Sequence, residues 1–245
     1  MSSSSKKRSI QAATHNSYWT SPRKKACVES SKSSQDTDES CNNHQHQGPF
    51  HVYCDLDGVL ADFEAGLRKL FPGKDTNSIA DGQKWSAIAR NGNFYLNLPW
   101  TVDGMNLWEA IHILSPDILT GVPSSIKQSS AQKMTWCVDK LTKVNTIQHV
   151  NKAGPKKSHV IVNDTQPIEK SKGPIHVKVI TCWTKNKHRE SRTGAVLIDD
   201  RLELSADWER RGGIFIHHTS TANTLALLRQ HHILPETLGT SQVYK

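Results

Sequence analysis

His51-Val52-Tyr53-Cys54-Asp55-Leu56-Asp57-Gly58-Val59-Leu60-Ala61-Asp62-Phe63 is the stretch that decides the fold of this 245-residue chain. The apolar run His51–Cys54 reads as a buried strand. Alternate side chains of a strand share a direction, so Asp55 and Asp57 emerge together at its carboxyl end. Gly58 permits the sharp turn that follows, and a helix begins after it. Two acids crowded at one strand end repel each other unless a positive charge sits between them. A hard cation such as Mg²⁺ suits oxygen ligands of this kind.

Working outward, further apolar runs are bounded by turn residues. They are Asp117-Ile118-Leu119-Thr120, ending in Gly121-Val122-Pro123; Val177–Trp183; Ala195–Asp199; and Gly213–His217. Such runs suit strands buried on both faces of a parallel sheet. Helical patterns over Ser125–Lys140, Leu202–Arg211 and Thr219–Gln230 fall between or after them. This alternation predicts an α/β fold, a Rossmann-like doubly wound parallel sheet of five strands. Ligands of such sheets bind beyond the carboxyl ends of the strands. Asp55, Asp57, Thr120, Asp199 and Asp200 all fall at those ends.

Two segments interrupt the alternation. Residues 64–105 hold Phe71, Trp85, Phe94, Tyr95 and Trp100, with helical character at Glu64–Leu70 and Gln83–Ala89. They read as a small helical cap inserted after the first strand, with Asn97–Trp100 and Asp103-Gly104 as a loop returning to the core. Residues 143–174 are polar and Lys-rich, punctuated by Gly154-Pro155 and Gly173-Pro174, and read as a surface insertion with a possible short strand at His159–Val162. Residues 1–49 are too poor in apolar groups to offset ordering entropy and read as a disordered polar tail. The foldable domain is expected over 50–235, with 236–245 as a C-terminal tail.

The net charge of +8 is unevenly placed. Residues 1–49 hold seven Lys/Arg and four acids, residues 143–174 six Lys and two acids, leaving the remainder near +1. Basic character in two polar segments suits solvated charge runs, and it leaves docking of nucleic acid open. Lys6-Lys7-Arg8 and Arg23-Lys24-Lys25 also fit a split nuclear-localisation signal. No run of about 18 apolar residues suggests a membrane span, and the N-terminus lacks a secretory apolar stretch. Five cysteines without CxxC spacing suit a reducing compartment. An intracellular location, cytoplasmic with nuclear entry open, is therefore expected. The histidine pairs 44/46, 217/218 and 231/232 lack common zinc-ligand spacing, and no GxGxxG or Walker loop occurs.

Taken together, Asp55-x-Asp57-Gly58-Val59-x-Ala61-Asp62-Phe63, Thr120, a lysine and Asp199-Asp200 resemble the haloacid dehalogenase-like phosphohydrolases over about residues 51–232. The Ala61-Asp62-Phe63 continuation looks most like their 5′(3′)-deoxyribonucleotidase branch. The resemblance implies a Mg²⁺-dependent phosphomonoesterase acting on a nucleoside monophosphate or another small phosphoester. It implies Asp55 as nucleophile and Asp57 as general acid and base. It also implies a Mg²⁺ site built from Asp55, Asp57 (through its backbone carbonyl), Asp199 and Asp200.

By the same resemblance Thr120 and Gly121 contact phosphate, Phe63 lies near the substrate base, and Lys187, or alternatively Lys185, stabilises the phosphate. That branch usually has Thr-Ser where this chain has Thr120-Gly121. Two rival readings stand beside this one: a phosphatase of nucleic-acid ends or phosphoproteins, and a non-catalytic binding module. Taken alone, Asp199-Asp200-Arg201 also fits a helix cap with a salt bridge, and Phe63 a core aromatic.

Overall fold

Six strands carry the architecture of the computed structural model, which describes residues 50–153 and 176–235. They are β1 (His51–Cys54), β2 (Asp117–Gly121), β3 (Thr146–Asn151), β4 (His176–Cys182), β5 (Ala195–Asp199) and β6 (Ile214–His217). Their order is β3-β4-β2-β1-β5-β6, and every neighbouring pair is parallel. The helices are α1 (Phe63–Leu70), α2 (Asp81–Asn91), α3 (Gly104–Ile111), α4 (Ser129–Lys140), α5 (Ser205–Glu209) and α6 (Thr221–Gln230). This is the expected α/β, Rossmann-like parallel sheet, with one more strand.

Strand periodicity divides the apolar residues between two faces. Val52 and Cys54, Ile118, Val177 and Val179, and Val196 and Ile198 join the larger core cluster. Leu67, Ile88, Leu107, Trp108, Ile111, Met134, Trp136 and Leu228, from five of the helices, fill the same cluster. The intervening residues Tyr53, Leu119, Ile180, Cys182, Ala195 and Leu197 pack on the other face around Trp208 of α5. Burial on both faces explains why these strands read as continuous apolar runs.

Two expectations change. Thr146–Asn151, assigned from sequence to the surface insertion, is an edge strand pairing with β4 throughout its length. Its alternation is short: Ile147 and His149 are buried and their neighbours are partly open. An edge strand presenting only one or two apolar residues inward gives a weak periodic signal. Asp103-Gly104, read as a returning loop, instead opens α3, whose Leu107, Trp108 and Ile111 are fully buried. The segment read as a cap holds helices α1 and α2 as expected. Its Leu67, Ile88, Phe94, Tyr95 and Leu98 belong to the same core cluster as the sheet. The 1–49 tail, His159–Val162 and the 236–245 tail lie outside the described residues. No helix among the described residues is long and apolar enough to cross a membrane.

The ends of the central strands are anchored differently. At the amino ends, Asp117 accepts from the Lys178 backbone N–H at 2.9 Å and pairs with His51 Nε2 at 2.9 Å, linking β2, β4 and β1. The carboxyl ends carry the polar groups described next. From β1 the chain moves out to β2 on one side and later returns to β5 on the other. The crevice where strand order reverses is the usual ligand position in such sheets.

Candidate active site

A cavity of about 760 Å³ opens at the carboxyl ends of the strands, lined among others by Asp55, Asp57, Gly58, Gly121, Lys187 and Asp200. That volume suits a small organic ligand. Asp55 follows β1 directly and is buried. Lys187, in the 3₁₀ turns Thr184–Glu190 after β4, reaches beneath it, only 1% exposed. Its ammonium lies 2.7 Å from Asp55 Oδ2 and 2.7 Å from Asp199 Oδ2. Burial alone would depress this lysine, but the two carboxylates outweigh that and hold it above the ordinary lysine range. Lys185 instead lies over the exposed ring of Trp183, 5.8 Å from its centroid.

Asp199 ends β5 and is fully buried; its Oδ1 accepts from the Arg201 backbone N–H at 3.0 Å. Asp55, Asp199 and Asp200 bring one carboxylate oxygen each to within 4.8 Å of one another. Asp55 Oδ1 and Asp57 Oδ1 are shielded from solvent with no hydrogen-bond partner. An ionised oxygen in that state costs several kcal/mol unless positive charge meets it. An all-carboxylate donor set favours a hard cation over a soft one, so Asp55, Asp199 and Asp200 fit Mg²⁺. The Asp57 carboxylate is outside this cluster; the cation contact expected of Asp57 is through its backbone carbonyl.

Gly58 has φ +79°, and a Cβ there would overlap the Asp200 carboxylate. Glycine is therefore required both by the turn and by the approach of Asp200. Asp200 is pushed up to about 7 by desolvation of its carboxyl and by the charges of Asp55 and Asp199, although much of the residue stays open to solvent. Asp199 is also raised, by burial and the Asp55 charge, with Lys187 opposing.

These shifts set a pH dependence. A carboxyl raised on folding contributes most to stability when protonated, below its unfolded value near 4, and loses that contribution as pH rises through its folded value. The metal-free protein is thus expected to lose Tm between about pH 5 and pH 8. Mg²⁺ should restore Tm at the upper pH and change it less at the lower, because proton and cation compete for the same oxygens. Thermal denaturation with EDTA or with millimolar Mg²⁺ at both pH values measures this. A Tm indifferent to Mg²⁺ at pH 8 contradicts it.

One residue absent from the sequence reading is central here. Lys133, on the buried face of α4 and 1% exposed, donates to Asp57 Oδ2 at 2.6 Å, Thr120 Oγ1 at 2.9 Å and Gly121 O at 2.5 Å. Its Nζ also sits 4.9 Å from the Tyr95 ring centroid. Asp57 is raised above the usual carboxylate range by burial, against the pull of Lys133. The available signal was a lysine at position 133 of a stripe holding Ser130, Met134, Trp136 and Cys137, all buried on α4. A charge on a core-facing helical stripe is rare unless paired.

Thr120 lies at the carboxyl end of β2, as expected. It is fully buried, its hydroxyl accepts from Lys133, and it does not line the cavity. Gly121 does line the cavity, beside Thr184. A Cβ at Gly121 would overlap the Thr184 hydroxyl, so a β4-side hydroxyl occupies the space a side chain at 121 would take. Phe63 lines the cavity and also packs edge-on to Phe94, with ring centroids 5.2 Å apart. Trp85 and Tyr95 complete an aromatic wall around it, at 6.2 and 6.3 Å from Phe63. Cys54 is a buried thiol raised chiefly by desolvation, which keeps it protonated and unreactive.

No protein-family model matches the chain, and no curated protein matches it significantly. A hydrolase of the haloacid dehalogenase-like family from Streptococcus pneumoniae is similar in structure, with a TM-score of 0.36 and 10% identity, covering 72% of this chain and 90% of that one. At that level the likeness supports no functional statement.

Proposed function

We propose that the protein is a Mg²⁺-dependent phosphomonoester hydrolase that works through an aspartyl-phosphate on Asp55, with nucleoside monophosphates or related small phosphoesters as substrates. The observation that carries this reading is the placement of Asp55. It borders a ligand-sized cavity with one oxygen clamped by Lys187 and the other shut from water without a partner. The second acid, Asp57, borders the same cavity. The motif resemblance to haloacid dehalogenase-like phosphohydrolases supports the same chemistry.

In the first step an Asp55 carboxylate oxygen attacks phosphorus, and the bond from phosphorus to the substrate oxygen breaks. Asp57 delivers its proton to the departing alkoxide. In the second step Asp57 accepts a proton from water as the water oxygen attacks the phosphorus of the acyl phosphate. Phosphate leaves and the Asp55 carboxylate is restored. The raised Asp57 suits the role, since a general acid must hold its proton near working pH. Lys187 holds a fixed positive charge beside Asp55, where negative charge accumulates during transfer.

Asp55, Asp199 and Asp200 would hold Mg²⁺, which when bound neutralises phosphate charge and stabilises the transferring group. The backbone of Gly121 and the Thr184 hydroxyl are the groups at hand for phosphate oxygens. Phe63, Trp85 and Tyr95 offer π-faces to a nucleobase.

The test is phosphate release from ribo- and deoxyribonucleoside 5′- and 3′-monophosphates, sugar phosphates, a phosphopeptide and a 3′-phosphorylated oligonucleotide, with Mg²⁺ or with EDTA. Mg²⁺-dependent turnover, fastest on nucleoside monophosphates, is the expected result. A folded, Mg²⁺-binding protein that releases phosphate from none of them overturns the proposal.

A further inference from the structure

Two groups that border the same cavity have no part in the phosphoryl chemistry. Asp103 precedes α3, and His218 follows β6; both line the cavity. His218 is only 6% exposed. Its Nδ1 is held by Thr224 Oγ1 at 2.8 Å, and among the described residues nothing engages Nε2. That nitrogen is the ring atom still open to a hydrogen-bond partner.

Asp103 is kept ionised by hydrogen bonding: its Oδ2 accepts from the Thr221 backbone N–H at 2.8 Å. Its backbone carbonyl accepts from the Thr221 hydroxyl at 3.0 Å. The loop before α3 is thereby pinned to the start of α6, and both side chains have set positions.

The chemistry of the pair narrows what it can read. A carboxylate only accepts hydrogen bonds, and it retains lone pairs after taking one N–H. A neutral imidazole nitrogen donates or accepts according to its tautomer. A hydroxyl can satisfy either group, since it is donor and acceptor at once. A phosphate fits poorly, because Asp103 would repel it. The pair therefore suits the uncharged portion of a phosphoester held at Asp55.

We propose that Asp103 and His218 form a subsite for adjacent hydroxyls, so that the cavity selects phosphomonoesters carrying a vicinal diol of the ribose type. This rests on the phosphohydrolase reading and names the substrate class of that site.

The test compares kcat/KM for ribose 5-phosphate against 2-deoxyribose 5-phosphate, and for a ribonucleoside 5′-monophosphate against its 2′-deoxy analogue, in full-length protein with Mg²⁺. A preference for the diol of about tenfold or more is expected, since a site built to bond a hydroxyl discriminates against its loss. The first pair tests a free sugar phosphate and the second a nucleotide. Asp103→Asn and His218→Gln should each compress the ratio toward one, chiefly by raising KM for the diol member.

No preference in the wild type, or variants that lower both members equally, overturns the proposal. If no phosphoester is hydrolysed, thermal shift and calorimetry with methyl β-D-ribofuranoside against its 2-deoxy analogue test the subsite by itself. Selective binding lost in His218→Gln then upholds the subsite while the hydrolase reading fails. Equal or absent binding overturns both.

Discussion

Asp55→Asn is expected to lower Mg²⁺-dependent phosphate release by at least about a thousandfold, because the amide is nearly isosteric but a poor nucleophile. The same substitution should leave Tm unchanged or raise it. Asp55, Asp199 and Asp200 crowd three carboxylates into one small space, and Asp199 remains to hold Lys187 at 2.7 Å. Removing one of three like charges relieves repulsion that Lys187 offsets only in part. Affinity for Mg²⁺ should fall in parallel, since an amide oxygen is a weaker ligand than a carboxylate. Phosphate release at fixed substrate, calorimetric Mg²⁺ titration and thermal denaturation measure the three effects. Retained turnover with lost Mg²⁺ binding would assign Asp55 to the cation alone and sink its role as nucleophile.

Lys133→Met should produce the largest loss of stability at the site. The ammonium is 1% exposed and satisfies three acceptors from two different strand ends. Methionine keeps the stem but strands Asp57, Thr120 and the Gly121 carbonyl. Breaking a buried ion pair from one side costs about 3–5 kcal/mol, or roughly 6–20 °C in Tm for a domain of this size. Activity should also fall, and the alkaline limb of the kcat/KM pH profile, where Asp57 must still hold its proton, should move upward. Lys133 lowers Asp57 against its burial, so without it Asp57 stays protonated to a higher pH.

A double variant separates cause from collapse. Asp57→Asn with Lys133→Met leaves no unpaired charge, and its stability should exceed that of Lys133→Met alone. If the double variant is less stable than either single one, the pair is not coupled as described.

The residues differ in how legible they were before the fold was known, and the reason is range. Asp55, Asp57 and Gly58 follow one another in sequence, so a strand's two-residue period and one glycine turn suffice to place them together. The Asp199-Asp200 pair was likewise announced by the apolar run that ends at it. Lys187 was one of two lysines in a short basic stretch. Only the path of the 3₁₀ turns after β4 puts it, and not Lys185, between Asp55 and Asp199.

Thr120 was correctly assigned to a strand end, but strand period cannot say that a lysine thirteen residues onward caps its hydroxyl. The edge strand β3 presents too few inward apolar residues to announce itself. Asp103-Gly104 resembled a turn because the apolar stripe of α3 begins only at Leu107.

The sequence by itself determined the parallel α/β sheet and the strand that carries the acids. Those follow from local period, turn residues and charge, which act within a few positions. The tertiary structure alone decided which lysine serves which carboxylate, that Thr184 fills the space beside Gly121, and that Asp103 and His218, 115 positions apart, border one cavity. Those pairings arise where separate strand ends and helices converge, and no short-range pattern encodes the convergence.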